Sequence, residues 1–303
     1  MANISSWLTA FRLHTLPLAL STIIMGSALA YDRGSYNGMV TLWACLTTIF
    51  LQILSNLAND YGDTASGVDN ADRIGPKRGL QSGDITKGQM KKAIYFFIAL
   101  SLISGILLIM TGTRELRITY GLILFIIGIG AIAAAMKYTM GKNPYGYSGY
   151  GDIFVFLFFG LVGVLGTYFL HTHNLVSIIV LPAIAMGCLS TGVLNLNNLR
   201  DRDNDAASGK HTLVVKLGLK NAKRYHAILL ITAMLAMITF SILSGGGLKY
   251  WLYLPSFIGI IRSIVVVFRN EDPVALYPEL KNLALNTLSL SLMVGVGALL
   301  TGM

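Results

Sequence analysis

The sequence predicts an all-α integral membrane protein, a single domain over residues 1–303 in which nine transmembrane helices form a bundle around a central cavity. Two observations predict this class. Hydrophobic residues make up 54% of the chain and charged residues only 12%, whereas about a quarter of the residues in a soluble domain are charged. The charges are also unevenly placed. They leave long runs without Asp, Glu, Lys or Arg, and a spanning helix needs about 20 mainly apolar residues.

The charge-free runs give the helices in order. Helices 1 to 4 are predicted from runs that each suffice for one crossing, at residues 13–31, 34–59, 93–113 and 118–136. The run 153–199 is long enough for helices 5 and 6, with the polar segment at residues 171–174 as the turn between them. Helices 7, 8 and 9 are predicted at residues 225–248, 250–268 and 282–303, the eighth interrupted by Arg262.

The distribution of basic residues predicts the orientation. With nine helices, the N-terminus and the loops after helices 2, 4, 6 and 8 share one side, and most of the 23 Lys and Arg residues belong to that side. Lys and Arg are enriched in cytoplasmic loops. We therefore expect a protein of the bacterial cytoplasmic (inner) membrane, surrounded by lipids, with its N-terminus in the cytoplasm. This topology accounts for the net charge of +9, and no nucleic-acid partner is predicted.

Acidic and amide side chains collect at the cytoplasmic ends of helices 2 and 6. If each helix continues to its natural end, these side chains form one stripe per helix, Asn56, Asn59, Asp60 and Asp63 on helix 2 and Asn198, Asp201 and Asp205 on helix 6. Residues three and four apart share a helix face, and polar side chains at membrane depth usually face a cavity or the bundle interior. Both stripes are therefore expected to line the same pocket.

The two acidic segments also resemble each other in sequence. Asp63-Thr-Ala-Ser-Gly67 matches Asp205-Ala-Ala-Ser-Gly209, 142 residues further along the chain. The match aligns helix 2 with helix 6. It predicts that helices 1–4 and 5–8 are parallel repeats, and membrane proteins often bind ligands between such repeats.

The side-chain types indicate a Mg²⁺-dependent diphosphate site. Clustered carboxylates and amides without nearby His or Cys select hard divalent cations, and Mg²⁺ is typically shared between carboxylates and substrate phosphate. Basic residues follow both clusters, ready to meet phosphate oxygens; they are Arg73, Lys77, Arg78 and Lys210. Because apolar helices adjoin the site, we expect the diphosphate to carry a hydrocarbon tail. An allylic prenyl diphosphate would ionise there, with its cation shielded from water.

These segments resemble the UbiA-type membrane prenyltransferases along essentially the whole chain. The first Asp-rich motif of that family is similar to Asn-Leu-Ala-Asn-Asp-Tyr-Gly-Asp (56–63), Gly-Val-Asp (67–69) and the run 73–83, and the second to residues 198–205 and 209–213. The resemblance implies nine helices with catalytic loops after helices 2 and 6. The segments at residues 12–17, 75–83, 137–139 and 147–152 are most similar to the branch that prenylates 1,4-dihydroxy-2-naphthoate in menaquinone biosynthesis.

That resemblance assigns roles to individual residues. It implies Mg²⁺ ligands at Asp60, Asp63, Asp69, Asp201 and Asp205, with all but Asp69 also counted as catalytic. It implies diphosphate-binding residues at Asn56, Asn59, Arg73, Arg78, Lys210 and Arg12. Lys137 and Tyr138 would face the acceptor as further catalytic residues, although snorkelling Lys and interfacial Tyr are also common at such positions. The implied reaction transfers a polyprenyl group from its diphosphate to dihydroxynaphthoate with decarboxylation, giving demethylmenaquinol.

Two other functions are compatible with parts of this pattern. A prenyltransferase of the same superfamily could use another acceptor such as 4-hydroxybenzoate. A membrane transporter would also use carboxylates on paired repeats, but transporters bind near the bilayer midplane, whereas these carboxylates lie at the helix ends. Asp203 points away from the stripe and is expected in solvent, and Asp152 is expected to cap helix 5, with a catalytic role as the alternative.

Overall fold

The computed structural model describes residues 3–69, 78–245 and 247–300. Within those ranges all regular secondary structure is helical, and nine helices are long and apolar enough to cross a membrane. They are α1 (Ile4–Asp32), α2 (Gly38–Ala65), α3 (Lys87–Gly112), α4 (Ile118–Lys137), α5 (Gly151–Thr172), α6 (Ser177–Ala207), α7 (Leu213–Leu243), α8 (Leu248–Arg269) and α9 (Pro273–Leu299). The all-α membrane architecture predicted from the charge-free runs is confirmed.

The first helix starts earlier than the charge-free run and is broken. A short helix, Ile4–Phe11, ends at Arg12, whose φ of 49° lies in the left-handed region, and the spanning part resumes at Leu16. Left-handed backbone is costly for a residue other than Gly. The break is held from α2, because the Asn56 amide donates to the Phe11 carbonyl (2.9 Å) and to Thr15 Oγ1 (3.1 Å). Arg12 therefore lies inside helix 1 rather than before it.

The helices that carry the two Asp-rich segments end in the same way. Each closes with a glycine in the left-handed region, Gly67 at φ 77° and Gly209 at φ 72°. In each, the backbone N–H after that glycine donates to the carbonyl of the aspartate five residues back, Val68 to Asp63 (2.9 Å) and Lys210 to Asp205 (2.8 Å). This is the bond of a Schellman helix end, where Gly is favoured because it tolerates positive φ.

Small residues bring the helices together where the site is built. Association of helices in lipid depends on close packing rather than on a hydrophobic drive between them, so small residues concentrate at contacts. A Cβ added at Gly62 on α2 would lie 2.5 Å from the Thr139 carbonyl oxygen, and one at Gly160 on α5 would lie 2.7 Å from the Ala183 carbonyl oxygen. These contacts fix the end of α2 against the α4–α5 loop, and α5 against α6.

Two apolar cores flank the bundle centre. The larger joins α1, α5, α6, α7, α8 and α9, and the smaller joins the short first helix, α2 and α3. The middle of α5, Phe156–Gly166, winds as a π-helix, a rare form that is frequent at functional sites. Between the two cores lies the principal cavity of the described chain.

Candidate active site

The cavity has a volume of about 900 Å³ and a polar end where α2 and α6 finish. Asp60 and Ala44, both on α2, line it at opposite ends. They are 16 residues apart, which is about 24 Å at the α-helical rise. The cavity is thus nearly as long as the hydrocarbon core of a bilayer is thick, about 30 Å. Its polar groups concentrate at one end and its remaining walls are mainly apolar.

The first carboxylate group is gathered around one arginine. Arg78 Nη1 donates to Asp63 (2.7 Å) and to Asp69 (2.8 Å), and Arg78 Nε lies 3.4 Å from Asp60. All three aspartates are buried. Burial lowers the pKa of Arg78, but the carboxylates of Asp63, Asp60 and Asp69 outweigh burial and raise it above its ordinary value. The group therefore keeps a permanent positive charge at its centre.

The amides and Arg12 complete the α2 side. Arg12 forms an ion pair with Asp60, so the break in α1 aims its guanidinium at the first motif. Asn56 holds that break, as described above. Asn59 lines the cavity and its side-chain oxygen accepts from Thr139 Oγ1 (3.2 Å).

The second carboxylate group lies at the end of α6. Asp201 is paired with its neighbour Arg200 through two bonds, from Nε (2.7 Å) and Nη2 (2.5 Å). Asp205 lies 3.4 Å from the Lys210 ammonium. All four side chains are buried and line the cavity. The ring of Tyr277 also lines the cavity, and its centroid lies 5.5 Å from the Arg200 guanidinium.

Lys210 joins the two groups. Burial lowers its pKa, yet Asp63 from the first group and Asp205 from the second raise it above the ordinary value. Tyr147 strengthens this junction, since its hydroxyl donates to Asp63 (2.8 Å) while its ring lies 5.5 Å from the Lys210 ammonium. A further bond, from the Asn204 amide to the Val68 carbonyl (3.0 Å), ties α6 to the loop after α2.

The donor set fits a hard divalent cation. Among the described residues, buried oxygens without a hydrogen-bond donor include Asp60 Oδ2, Asp205 Oδ2 and Asn198 Oδ1, and buried acceptors normally have a partner. No group of three or more His, Cys, Asp or Glu side chains in the described residues is close enough to hold a metal by itself. Mg²⁺ commonly takes one or two carboxylates and completes its shell with waters and substrate phosphate, so oxygens split between two facing motifs suit it.

Of the two predicted acceptor-facing residues, the structure places only Tyr138 at the cavity. Tyr138 lines the cavity. Burial, with the Asp152 carboxylate second, raises the pKa of its phenol, which keeps the hydroxyl protonated. Lys137 is exposed and is not part of the cavity wall, so this placement does not support its predicted catalytic role. Arg73 lies outside the described residues.

Of Asp203 and Asp152, only Asp203 is placed as predicted. The Asp203 side chain is 74% exposed, as its position off the stripe predicts. Asp152 is buried in the first turn of α5 but does not line the cavity. No side-chain cap bond marks the start of that helix. The Asp152 carboxylate instead accepts a hydrogen bond from the Tyr225 side chain on α7. The structure therefore gives Asp152 a helix-to-helix contact rather than the predicted cap.

Sequence reasoning missed Arg200, Tyr147 and Asn204. For Arg200, its position directly before Asp201 is a usable signal in the sequence. Tyr147 belongs to the segment 147–152 that carried part of the family resemblance, but its contact with Asp63 joins positions 84 residues apart. No local pattern reveals such a contact.

The chain is similar in sequence to known proteins. The model of the UbiA prenyltransferase family matches residues 19–287. A protein of Escherichia coli (strain K12) named 1,4-dihydroxy-2-naphthoate octaprenyltransferase is 43% identical over 301 residues, covering 99% of this chain and 97% of that protein. A protein of the same name from Haemophilus influenzae is 41% identical over 300 residues, covering 98% and 97%.

Solved structures show the same fold. A UbiA homolog from Archaeoglobus fulgidus bound to GPP and Mg²⁺ aligns with a TM-score of 0.68 at 16% identity, covering 98% of this chain and 100% of that one. The apo structure of a UbiA homolog from Aeropyrum pernix K1 aligns with the same score and identity, covering 97% and 99%. At these identities the likeness concerns the fold alone.

Proposed function

Because this chain belongs to the UbiA prenyltransferase family, we propose that it transfers a polyprenyl group from a prenyl diphosphate to 1,4-dihydroxy-2-naphthoate. The carboxylate of the acceptor is lost as CO₂, diphosphate leaves, and the product is demethylmenaquinol. Relatives at 43% and 41% identity over nearly their whole length carry the naphthoate name, and none of the described cavity residues favours 4-hydroxybenzoate over it.

One observation supports the chemistry most directly. The Lys210 ammonium lies 3.4 Å from Asp205 of the second motif and 5.5 Å from the ring of Tyr147, whose hydroxyl donates to Asp63 of the first motif (2.8 Å). Carboxylates from both helices therefore face one small volume at the polar end of the cavity. A diphosphate held there would have carboxylate-bound cation on its two sides and an apolar cavity for its tail. That arrangement suits a substrate with a charged head and a long hydrocarbon chain.

The acidic and the basic residues of the site have different roles. Asp60, Asp63, Asp69, Asp201 and Asp205 would hold Mg²⁺, which when bound neutralises the charge that develops on the leaving diphosphate. Arg12, Arg78, Arg200 and Lys210 donate to the phosphate oxygens that remain uncovered. These donors are fixed before reaction, and such preorganised donors stabilise a transition state because they need no reorganisation.

The apolar part of the cavity protects the reactive carbon. When the bond between the allylic carbon and the diphosphate oxygen breaks, the cation must meet the acceptor before water. Tyr138 and the aromatic side chains of α5 line that region; the rings of Phe154 and Tyr145 are stacked with centroids 4.0 Å apart. Because the Tyr138 phenol is protonated, it contributes its ring and a hydrogen-bond donor rather than a base.

A reconstituted assay tests this function. Purified protein in lipid nanodiscs is given Mg²⁺, a polyprenyl diphosphate and either 1,4-dihydroxy-2-naphthoate or 4-hydroxybenzoate. We expect prenylated naphthoquinol and CO₂ with the first acceptor, and loss of both with a chelator that excess Mg²⁺ reverses. Turnover with 4-hydroxybenzoate alone, or with neither acceptor, would contradict the proposal.

We also propose that the N-terminus and the polar end of the cavity face the cytoplasm, as the basic loops favour. The test introduces Ser82→Cys, in the exposed loop after α2, and Glu115→Cys, in the exposed loop after α3, into intact cells. A membrane-impermeant thiol reagent should label only the Glu115→Cys variant. The native Cys45 and Cys188 lie within spans and are half-buried and buried, respectively. Labelling of the Ser82→Cys variant would contradict the proposed orientation.

The matched ends of α2 and α6 support a second structural proposal, that α1–α4 and α5–α8 are repeats within one domain. A Cβ at either Gly67 or Gly209 would meet no atom within 4 Å, so Ala at these positions adds only left-handed strain, about 1–2 kcal/mol each. Equal losses of thermal stability in Gly67→Ala and Gly209→Ala are expected. Clearly unequal losses would argue against equivalent turns.

A further inference from the structure

Glycines recur along the walls of the apolar half of the cavity. Gly105 on α3, Gly128 on α4, and Gly163 and Gly166 on α5 all line it. They are of two kinds. A Cβ at Gly163 would lie 2.8 Å from Thr22 Oγ1 on α1, so this glycine allows two helices to pack closely. A Cβ at Gly128 or at Gly166 would meet no atom within 4 Å, so close packing does not explain either one.

Gly128 lies in the centre of the cavity-facing side of α4. Leu124, Ala131 and Ala135 also line the cavity, and they are four residues before, three after and seven after Gly128, the spacing of a single helix face. Gly128 is ten residues from Tyr138, or about 15 Å at the α-helical rise. A side chain added there would therefore enter the cavity well beyond the reacting end.

Gly166 likewise lies in the centre of the cavity-facing side of α5. Val162 and Leu170, four residues to either side, line the cavity with it. The two open glycines thus belong to separate cavity walls, one on α4 and one on α5. Both lie along the route from the diphosphate site into the apolar half, where a prenyl tail has space to extend.

We propose that Gly128 and Gly166 keep this half of the cavity open for the distal isoprene units of the donor, and so determine how long a tail the enzyme accepts. The inference rests on the proposed prenyl transfer and deepens it. Short tails end before they reach Gly128, whereas long tails pass it. A larger residue at either position removes space that only long tails need.

The same helix provides a matched control. Gly130 is two residues from Gly128, about 200° around an α-helix; it is exposed and does not line the cavity, and a Cβ there also meets no atom within 4 Å. Gly130→Leu therefore makes the same change in helix propensity and hydrophobicity as Gly128→Leu without entering the cavity. Gly128→Ala and Gly128→Val give graded steps between wild type and Leu.

The experiment measures kcat/KM for geranyl diphosphate and for octaprenyl diphosphate with dihydroxynaphthoate in each variant. Forcing extra carbons into filled space costs enough for a loss of about tenfold or more. We expect Gly128→Leu and Gly166→Leu to lose that much with the octaprenyl donor and to stay within about twofold with the geranyl donor. In the graded series the loss should grow with side-chain size, and Gly130→Leu should match wild type with both donors.

The outcomes separate this inference from the function it rests on. If wild type prenylates no aromatic acid with either donor, the proposed function fails. If wild type is active but Gly128→Leu and Gly166→Leu keep its ratio of long-donor to short-donor kcat/KM, the tail does not pass these glycines and the inference fails. The inference also fails if kcat/KM falls equally for both donors through the graded series, because it predicts a loss for the long donor alone.

Discussion

Arg78 is the residue whose removal most directly probes the electrostatics of the site. Its side chain is 11% exposed and it binds Asp63 at 2.7 Å and Asp69 at 2.8 Å, with Asp60 at 3.4 Å, all three carboxylates being nearly inaccessible to solvent. Arg78→Gln leaves these carboxylates facing one another with much less compensation. Removing one partner of a buried ion pair costs about 3–5 kcal/mol, and we expect a loss of unfolding free energy of that size in chelator.

A loss of this size in unfolding free energy is expected for Arg78 but not for an exposed ion pair nearby. Arg202 pairs with Asp203 at 2.7 Å, but the Asp203 side chain is 74% exposed, and exposed pairs are worth about 0–1 kcal/mol. Arg202→Gln is therefore the control. Mg²⁺ with a non-hydrolysable prenyl diphosphate analogue should recover part of the stability of Arg78→Gln, because bound cation replaces the missing charge, and should affect Arg202→Gln no differently from wild type.

Thermal unfolding in detergent, followed by the reaction of buried Cys188 with a fluorogenic thiol reagent, measures these differences. The expected order of apparent Tm in chelator is wild type, then Arg202→Gln close behind, then Arg78→Gln well below both. If Arg78→Gln melts with Arg202→Gln, the three carboxylates are not held by Arg78 and the reasoning is refuted. The same follows if ligand raises all three proteins equally.

Three further predictions concern turnover, Mg²⁺ activation and alkaline stability. Asp60→Ala and Asp201→Ala should each lower kcat by about 10²-fold or more, the usual effect of removing one preorganised electrostatic contact, whereas Asp203→Ala should keep most of the activity; a strong loss in Asp203→Ala would contradict the assignment. Arg200→Lys cannot reproduce the two-bond contact with Asp201 and should weaken Mg²⁺ activation about 10–100-fold, seen as a higher Mg²⁺ concentration for half-maximal rate. Burial and then Asp63 raise the pKa of Tyr147 above its ordinary value. The stability contributed by its protonated form is therefore full below the unfolded pKa of about 10 and is lost progressively as pH rises from there through the higher folded value. Alkaline unfolding above about pH 10 should be less steep in Tyr147→Phe, and an unchanged profile would show that Tyr147 does not report on this junction.

The polar stripes show how far local pattern reaches into the site. Asp60 and Asp63 were placed on one face of helix 2 by spacing alone, since the helical period relates positions three and four apart wherever the helix packs. Arg12 is predicted from sequence to bind diphosphate and pairs with Asp60 in the structure, but its position at a left-handed break within α1 depends on Asn56 of α2. Lys137 is exposed whereas Tyr138 lines the cavity, because residues next to each other in sequence do not face the same way around a helix.

The sequence by itself determined the nine membrane-spanning helices, because the requirement for internal hydrogen bonding in lipid makes each charge-free run of sufficient length a helix. It also determined that two acidic stripes exist and which oxygens they offer. Only the tertiary structure decided which cation meets which carboxylate, that Lys210 and Tyr147 join the two motifs, and that Gly128 faces the cavity while Gly130 does not. These relations depend on how distant helices pack and rotate, and hydropathy and spacing within one segment hold no information about its neighbours' orientation.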